Sequence, residues 1–240
     1  DLTLQQQPTT GPAPRRLIVS HVMNARDNRA RPARVSWPAL AERLTRFDVR
    51  GDIVDRIHRD HRAIDHVLES GAWREPSTWL ENRVWDLQEK REGTDAEVLE
   101  AVRQQLYGEA KRRRKAEQRA WIPARFRGER RARAEVLDVQ LVVLDHDDGH
   151  PIEEEIERWR GHACMVHTSW SHTVGHPKFR VVLPLVKPVP ARLWPRVFQH
   201  LQARTSGRID PQTKNADRIF FLPAVPREDT PRFAKVFDGD

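Results

Sequence analysis

Along the chain the apolar positions change period, and the changes divide it. "RRLIVSHVMN" is short, apolar and β-branched, which predicts a strand. "VSWPALAERLTRF" follows with Ser36 as N-cap, Pro38 in the first turn and Leu40, Leu44 and Phe47 at helical spacing. From Gly51 to Gln118 the period stays helical. Ile53, Ile57, Ile64, Val67 and Leu68 form one stripe, Leu80, Val84 and Leu87 a second, and Val98, Leu99, Val102 and Leu106 a third. The breaks are Gly71 to Ser77 and Gly93–Thr94, with caps at Ser77 or Thr78 and at Thr94 or Asp95.

After Ala134 strands return, now alternating with helices. "VQLVVLD" is continuously apolar, as in a strand covered on both faces. "PIEEEIERWRG" is a helix with Pro in its first turn, acidic residues behind it and Gly161 at its end. "HACMVHTS" and "KFRVVLPLV" read as strands. "PARLWPRVFQHLQART" reads as a helix with Leu193, Val197 and Leu201 on one face. "RIFFLPAV" is the last clear strand, with "RFAKVF" a further candidate. The expected class is α+β with a mixed sheet, divided into a disordered Gln/Pro/Thr-rich tail (1–14), a strand-helix unit (15–50), an all-helical insertion (51–118) and a mixed α/β core (119–240).

Charge sharpens this picture. The chain has 240 residues and a net charge of +7, yet residues 111–133 alone hold eleven Lys/Arg and two Glu, a net of +9. The remainder is therefore slightly acidic. Such a segment suits a polyanion, because arginines neutralise phosphates while aromatic faces stack on bases. Arg112, Arg113, Arg114, Arg119, Trp121, Arg125, Arg127, Arg130 and Arg131 are the expected nucleic-acid contacts. The competing reading is a solvated helix end and connector. Wholesale disorder is excluded by 38% hydrophobic residues with eight Trp and eight Phe, despite a mean hydropathy of −0.74. No apolar run is long enough to span a bilayer and the start lacks a signal-peptide pattern, so a cytoplasmic location without membrane contact is expected. The absence of an initiator Met fits a fragment or a processed chain. Cys164 is the single cysteine, which removes disulfide frameworks and Cys-based zinc modules; no zinc is expected.

Three segments carry chemistry. In "LVVLDHDDGH" the two-residue spacing of Asp145 and Asp147 puts both carboxylates on one face of a continuing strand, a hard-oxygen site suited to Mg²⁺ or Mn²⁺ with substrate phosphates completing the shell. A polar strand end entering an Asp-Gly turn is the plainer alternative. In "VHTSWSHTVGHPKFRVVLPL" a hydroxyl-rich loop with Ser171 and His172 precedes Lys178 and Arg180, which share a face and can cradle a triphosphate. In "IDPQTKNADRIFFLP", Asp210 is the preferred third carboxylate for a second metal ion, and Asp217 can orient Arg218, a further phosphate contact. "HRDHRAIDH" places His58, His61 and Asp65 on one helix face, but that helix must bury Ile57 and Ile64, and its polar side reads as solvated surface.

The order of these motifs resembles the archaeo-eukaryotic primase superfamily, in particular the primase-polymerases of phages, plasmids and other mobile elements. The resemblance spans about residues 120–226 with the first strand and helix. It implies an RRM-like palm and assigns Asp145 and Asp147 to the first metal motif, His172 to the second, Asp210 to the third and Arg180 to a basic position contacting nucleotide phosphates. That motif's serine is not at its usual offset, and Ser169 or Ser171 stands in. The implied activity is template-dependent synthesis of primers from NTPs or dNTPs on single-stranded DNA with two Mg²⁺ or Mn²⁺ ions. No GKS/GKT phosphate loop is present, so unwinding falls to a helicase in cis or in trans. Two other functions compete. A replication-initiator nuclease would need a Tyr nucleophile and a His-apolar-His triplet, whereas Tyr107 is the single tyrosine and no such triplet occurs. A non-catalytic nucleic-acid-binding subunit would bind without synthesis.

Overall fold

The computed structural model describes residues 16–239; the tail expected over 1–14 lies outside them. Strand β1 (Arg16–Val22) pairs antiparallel with β2 (Arg31–Ser36). β2 carries no clear apolar alternation, and it occupies a sheet edge, where Pro32 is tolerated. Helix α1 (Trp37–Thr45) begins where expected, the Ser36 hydroxyl accepting from the Ala39 N–H at 3.3 Å, and it buries Leu40, Ala41 and Leu44. It ends before Phe47. After β3 (Asp48–Val49) come α2 (Gly51–Ser70), α3 (Trp79–Gln88) and α4 (Asp95–Lys115). Gly71 closes α2 in the left-handed conformation, at φ 71°. Thr78 with Glu81, and Thr94 with Glu97, form capping boxes on α3 and α4, satisfying amides that would otherwise lack partners. The three helices enclose an apolar cluster built on Ile64, Leu68, Trp73, Val84, Val102 and Leu106. The first turns of α2 leave it: Ile53 and Ile57 pack with Trp170 and Ala224.

The remaining elements are β4 (Ala120–Ile122), β5 (Ala124–Phe126), β6 (Val136–His146), α5 (Ile152–Arg158), β7 (Cys164–Thr168), β8 (Phe179–Pro190), α6 (Trp194–Arg204), β9 (Phe220–Phe221), β10 (Ala224–Val225) and β11 (Ala234–Phe237). One sheet has the order β2-β1-β4-β9, the other β11-β7-β8-β6-β5. Both are antiparallel throughout, which corrects the expectation of a mixed sheet. The β6-α5-β7 crossover leaves a gap one strand wide, and β8 fills it antiparallel to both neighbours. Among the described residues, the parallel pairing is the two-residue contact of β3 with β10.

β6 is covered on both faces, and its two-residue period sorts its side chains. Val142 and Leu144 join Ile152, Trp159, Trp194 and Phe198 beneath α5 and α6. Leu141 and Val143 join Leu17, Val19, Leu44 and Trp121 on the side of α1 and the first sheet. α6 buries Trp194, Phe198 and Leu201, not the expected Leu193/Val197/Leu201 stripe. Leu193 lies in the preceding 3-10 turn and is exposed. α5 runs from Ile152 with Pro151 as its cap residue, one position earlier than the first-turn role expected of it.

Candidate active site

The alternation along β6 sends Asp145 toward the Leu141/Val143 face, at the point where the strand runs out. Asp147 follows just beyond the strand end. Both line a cavity of about 210 Å³ together with Asp210, Lys115, Lys178, Arg180, Arg218 and Gln118, with Ser169 and Ser171 at its wall. Asp210 comes from a distant segment, and a backbone bond fixes it there: its N–H donates to the Asp145 carbonyl at 2.8 Å. Its side chain accepts from the Gln212 N–H at 2.9 Å, capping the turn Pro211–Lys214.

Each carboxylate is matched to a base. Arg180 donates to Asp145 through Nε at 3.1 Å and Nη2 at 3.4 Å, and a third donor, Nη1, reaches the Phe221 carbonyl at 3.0 Å. Lys178 Nζ stands 3.6 Å from Asp147 Oδ1, and Arg218 Nη2 donates to Asp210 at 3.3 Å. Three aspartates thus face four cations, counting Lys115. Such a mosaic is close to neutral, and it can open into two halves: carboxylates toward divalent cations, guanidinium and ammonium groups toward phosphate. The all-oxygen donor set of Asp145, Asp147 and Asp210 fits Mg²⁺ or Mn²⁺.

Two cavity residues were not legible in the sequence. Lys115, the last residue of α4, donates to the Ser171 hydroxyl at 3.0 Å, and burial, with repulsion from Lys111 and Arg180, pushes its ammonium down to about 8. Gln118 is 2% exposed, and neither its amide nitrogen nor its carbonyl oxygen has a partner. A buried amide without partners is costly, and this one stands at the wall of the cavity. Both residues were read only as part of a basic run; the missed signal is that α4 must end against the strand termini.

Other expectations need correction. His172 does not line this cavity; its Nδ1 accepts from the Lys178 N–H at 3.3 Å, which holds the loop beneath Lys178, and burial lowers its pKa. Trp121 is 1% exposed, packed against Phe220 within the core, because β4 is an interior strand; it cannot stack on a base. Phe126 is buried as well. Arg113 and Arg114 pair with Asp60, Arg125 with Asp138, and Arg131 donates to the Ala25 carbonyl. Arg112, Arg119, Arg127 and Arg130 remain exposed. On α2, His61 stacks on Tyr107 at 3.8 Å and Asp65 accepts from the Tyr107 hydroxyl, so that polar face is used for helix packing. No helix among the described residues is long and apolar enough to cross a membrane.

Residues 63–239 match the family model of the VapE N-terminal domain. The chain belongs to that family. The matched span takes in α3, α4, every strand from β4 onward and all residues of the cavity. A search of solved structures returns the AEP domain of the cyanophage S-2L primase-polymerase, at 16% identity and a TM-score of 0.37, covering 51% of this chain and 63% of that one. The chain thus spans less than two thirds of that domain's length. No curated protein matches the chain.

Proposed function

We propose that this VapE N-terminal domain is a primase-polymerase: a template-dependent nucleotidyltransferase in which the two sheets form the palm and residues 51–118 a helical insertion. The observation that carries the reading is the convergence of Asp145, Asp147 and Asp210 with Lys115, Lys178, Arg180 and Arg218 on one cavity. Divalent cations bound by the three aspartates would activate an attacking hydroxyl and stabilise the leaving pyrophosphate. The chain's own residues do the rest. Arg180 and Lys178 exchange their aspartate partners for phosphate oxygens, Arg180 in bidentate fashion because its fork already presents two donors. Arg218 and Lys115 add charge from the far walls. If the pocket wall opens around it, the Gln118 amide would donate through its NH₂ and accept through its carbonyl oxygen toward a sugar hydroxyl or base edge. The exposed Arg112, Arg119, Arg127 and Arg130 supply the approach for a single-stranded template. A helicase in cis or in trans would provide that strand.

The test is incubation with an unprimed single-stranded DNA template, Mg²⁺ or Mn²⁺ and labelled NTPs or dNTPs. Labelled oligonucleotides are expected from the wild type, and none from Asp145→Ala/Asp147→Ala, which should still bind DNA in a filter assay. Binding without synthesis under every metal and nucleotide condition would replace this reading with a non-catalytic nucleic-acid-binding subunit.

A further inference from the structure

The strand that delivers Asp145 to the cavity points its next residue, His146, the opposite way, into the layer beneath α5. There His146, His150 and Glu155 meet, at 0%, 7% and 0% exposure. Three segments contribute: the end of β6, the loop after it and the first turn of α5. Their side chains are held in place by Phe179, whose ring stacks on His146 at 4.8 Å and meets His150 edge-on at 5.2 Å.

The hydrogen bonds around the cluster fix where its lone pairs lie. His146 Nδ1 is 3.1 Å from the Arg208 carbonyl oxygen, and His150 Nδ1 is 2.5 Å from Asp148 Oδ1. An oxygen acceptor at each Nδ1 places the imidazole proton there, which leaves each Nε2 as a bare lone pair. Both Nε2 atoms are buried and lack hydrogen-bond partners. They face the Glu155 carboxylate, at 3.8 Å from His146 and 3.5 Å from His150, and the three ligand atoms lie within 4.8 Å of one another. Arg158 Nε and Trp159 Nε1 each donate to one Glu155 oxygen, at 3.0 and 3.1 Å, orienting the carboxylate. Two lone pairs and a carboxylate therefore converge in a buried layer with no donor between them. Left alone this costs free energy, and a cation at the centre reverses the sign.

We propose that His146, His150 and Glu155 form a zinc site. Two imidazoles and one carboxylate are a borderline donor set that favours zinc over the hard cations suited to the aspartate cavity. Zinc bonds of about 2.0–2.2 Å in a tetrahedron set ligand atoms roughly 3.3 Å apart, so the present separations close by small side-chain movements. Acceptors behind both imidazoles are the outer partners such a site requires, Asp148 being the carboxylate member. A water molecule would complete the tetrahedron. Closure on all sides makes the role structural: the ion ties the end of β6 to α5 and so fixes the strand turn between Asp145 and Asp147. The absence of cysteines beyond Cys164 does not bear on a site built from imidazole and carboxylate. This proposal does not depend on the polymerase reading.

The chain with any affinity tag removed, expressed with zinc in the medium, is to be assayed for metal by mass spectrometry, with Tm recorded before and after a strong chelator. About one zinc per chain is expected, with a fall in Tm on chelation. His150→Ala and Glu155→Gln should lose the metal, Asp148→Ala should weaken zinc affinity about 10–100-fold, and Asp145→Ala/Asp147→Ala should keep it. Should the ligand variants fail to fold, reconstitution of wild type with Co²⁺ decides through the visible absorption of a tetrahedral ion. A wild type that holds no zinc, gains no Tm from added Zn²⁺ and shows no cobalt band overturns the site, as do folded ligand variants that retain full occupancy.

Discussion

Arg180 lies directly opposite Asp145 in the β6–β8 register and grips both oxygens of its carboxylate, with the two side chains only 12% and 9% exposed. A pair this enclosed is asymmetric: its formation contributes little net stability, but removing one partner strands the other in a poorly solvated place. Arg180→Met should therefore destabilise the fold by about 3 kcal/mol in urea unfolding, and Arg180→Met with Asp145→Asn should recover most of that loss. If Asp145 is a metal ligand, Mg²⁺ should raise the Tm of Arg180→Met more than that of the double variant.

Gln118 gives a prediction in which stability and binding separate. Its amide has no partner in the unliganded fold, so Gln118→Leu should leave Tm unchanged or raise it. The same variant should weaken nucleotide affinity about tenfold, the worth of roughly one or two hydrogen bonds. Calorimetric titration with a non-hydrolysable nucleotide analogue reads this directly; an unchanged Kd would remove Gln118 from the binding surface.

Lys115 should make nucleotide binding pH-dependent. With its folded pKa at about 8, it carries its charge at pH 7 and loses it as pH rises, so affinity for a triphosphate should fall between pH 7 and 9, and Lys115→Gln should flatten that profile. Stability moves the other way. The folded pKa lies below the unfolded 10.5, so the unfolded chain binds more protons between pH 8 and 10.5, and this group's contribution to stability rises across that window. Thermal melts of the wild type and Lys115→Gln from pH 7 to 10 check the sign.

Part of the basic run is engaged within the fold, which narrows the surface it can offer to a template. Arg119→Ala, Arg127→Ala and Arg130→Ala, all exposed, should each reduce the salt slope of single-stranded DNA binding by roughly one. Arg114→Ala should instead lower stability, since its guanidinium joins Asp60 of α2 to Glu117. Trp121→Ala should cost about 3–5 kcal/mol of fold stability rather than act through lost stacking on bases.

Local rules made much of the chain legible. Ser36, Thr78 and Thr94 cap their helices because a hydroxyl three residues ahead of a free N–H needs only neighbouring backbone. Asp145 could be assigned its face because strand alternation is a property of the chain itself, whereas Asp147 lies just past the strand end. β2 was missed because an edge strand need not alternate, and two of the three α6 positions were off by one, since Leu193 belongs to a 3-10 turn ahead of the helix. His172 was assigned to the cavity by motif order, whereas the loop turns it beneath Lys178.

The sequence by itself determined the helices, the strand that delivers Asp145, the order of the three acidic and basic motifs, and the concentration of charge before them. Tertiary structure decided which base meets which acid, that Trp121 is core, that Gln118 is left without partners, and that His146, His150 and Glu155 converge. The division has a physical cause. Caps and periodicity depend on residues within one or two turns, whereas Asp210 reaches Asp145 through a backbone bond across 65 residues, and Lys115 meets Ser171 across 56. Contacts of that kind depend on how layers pack, which no local window of sequence contains.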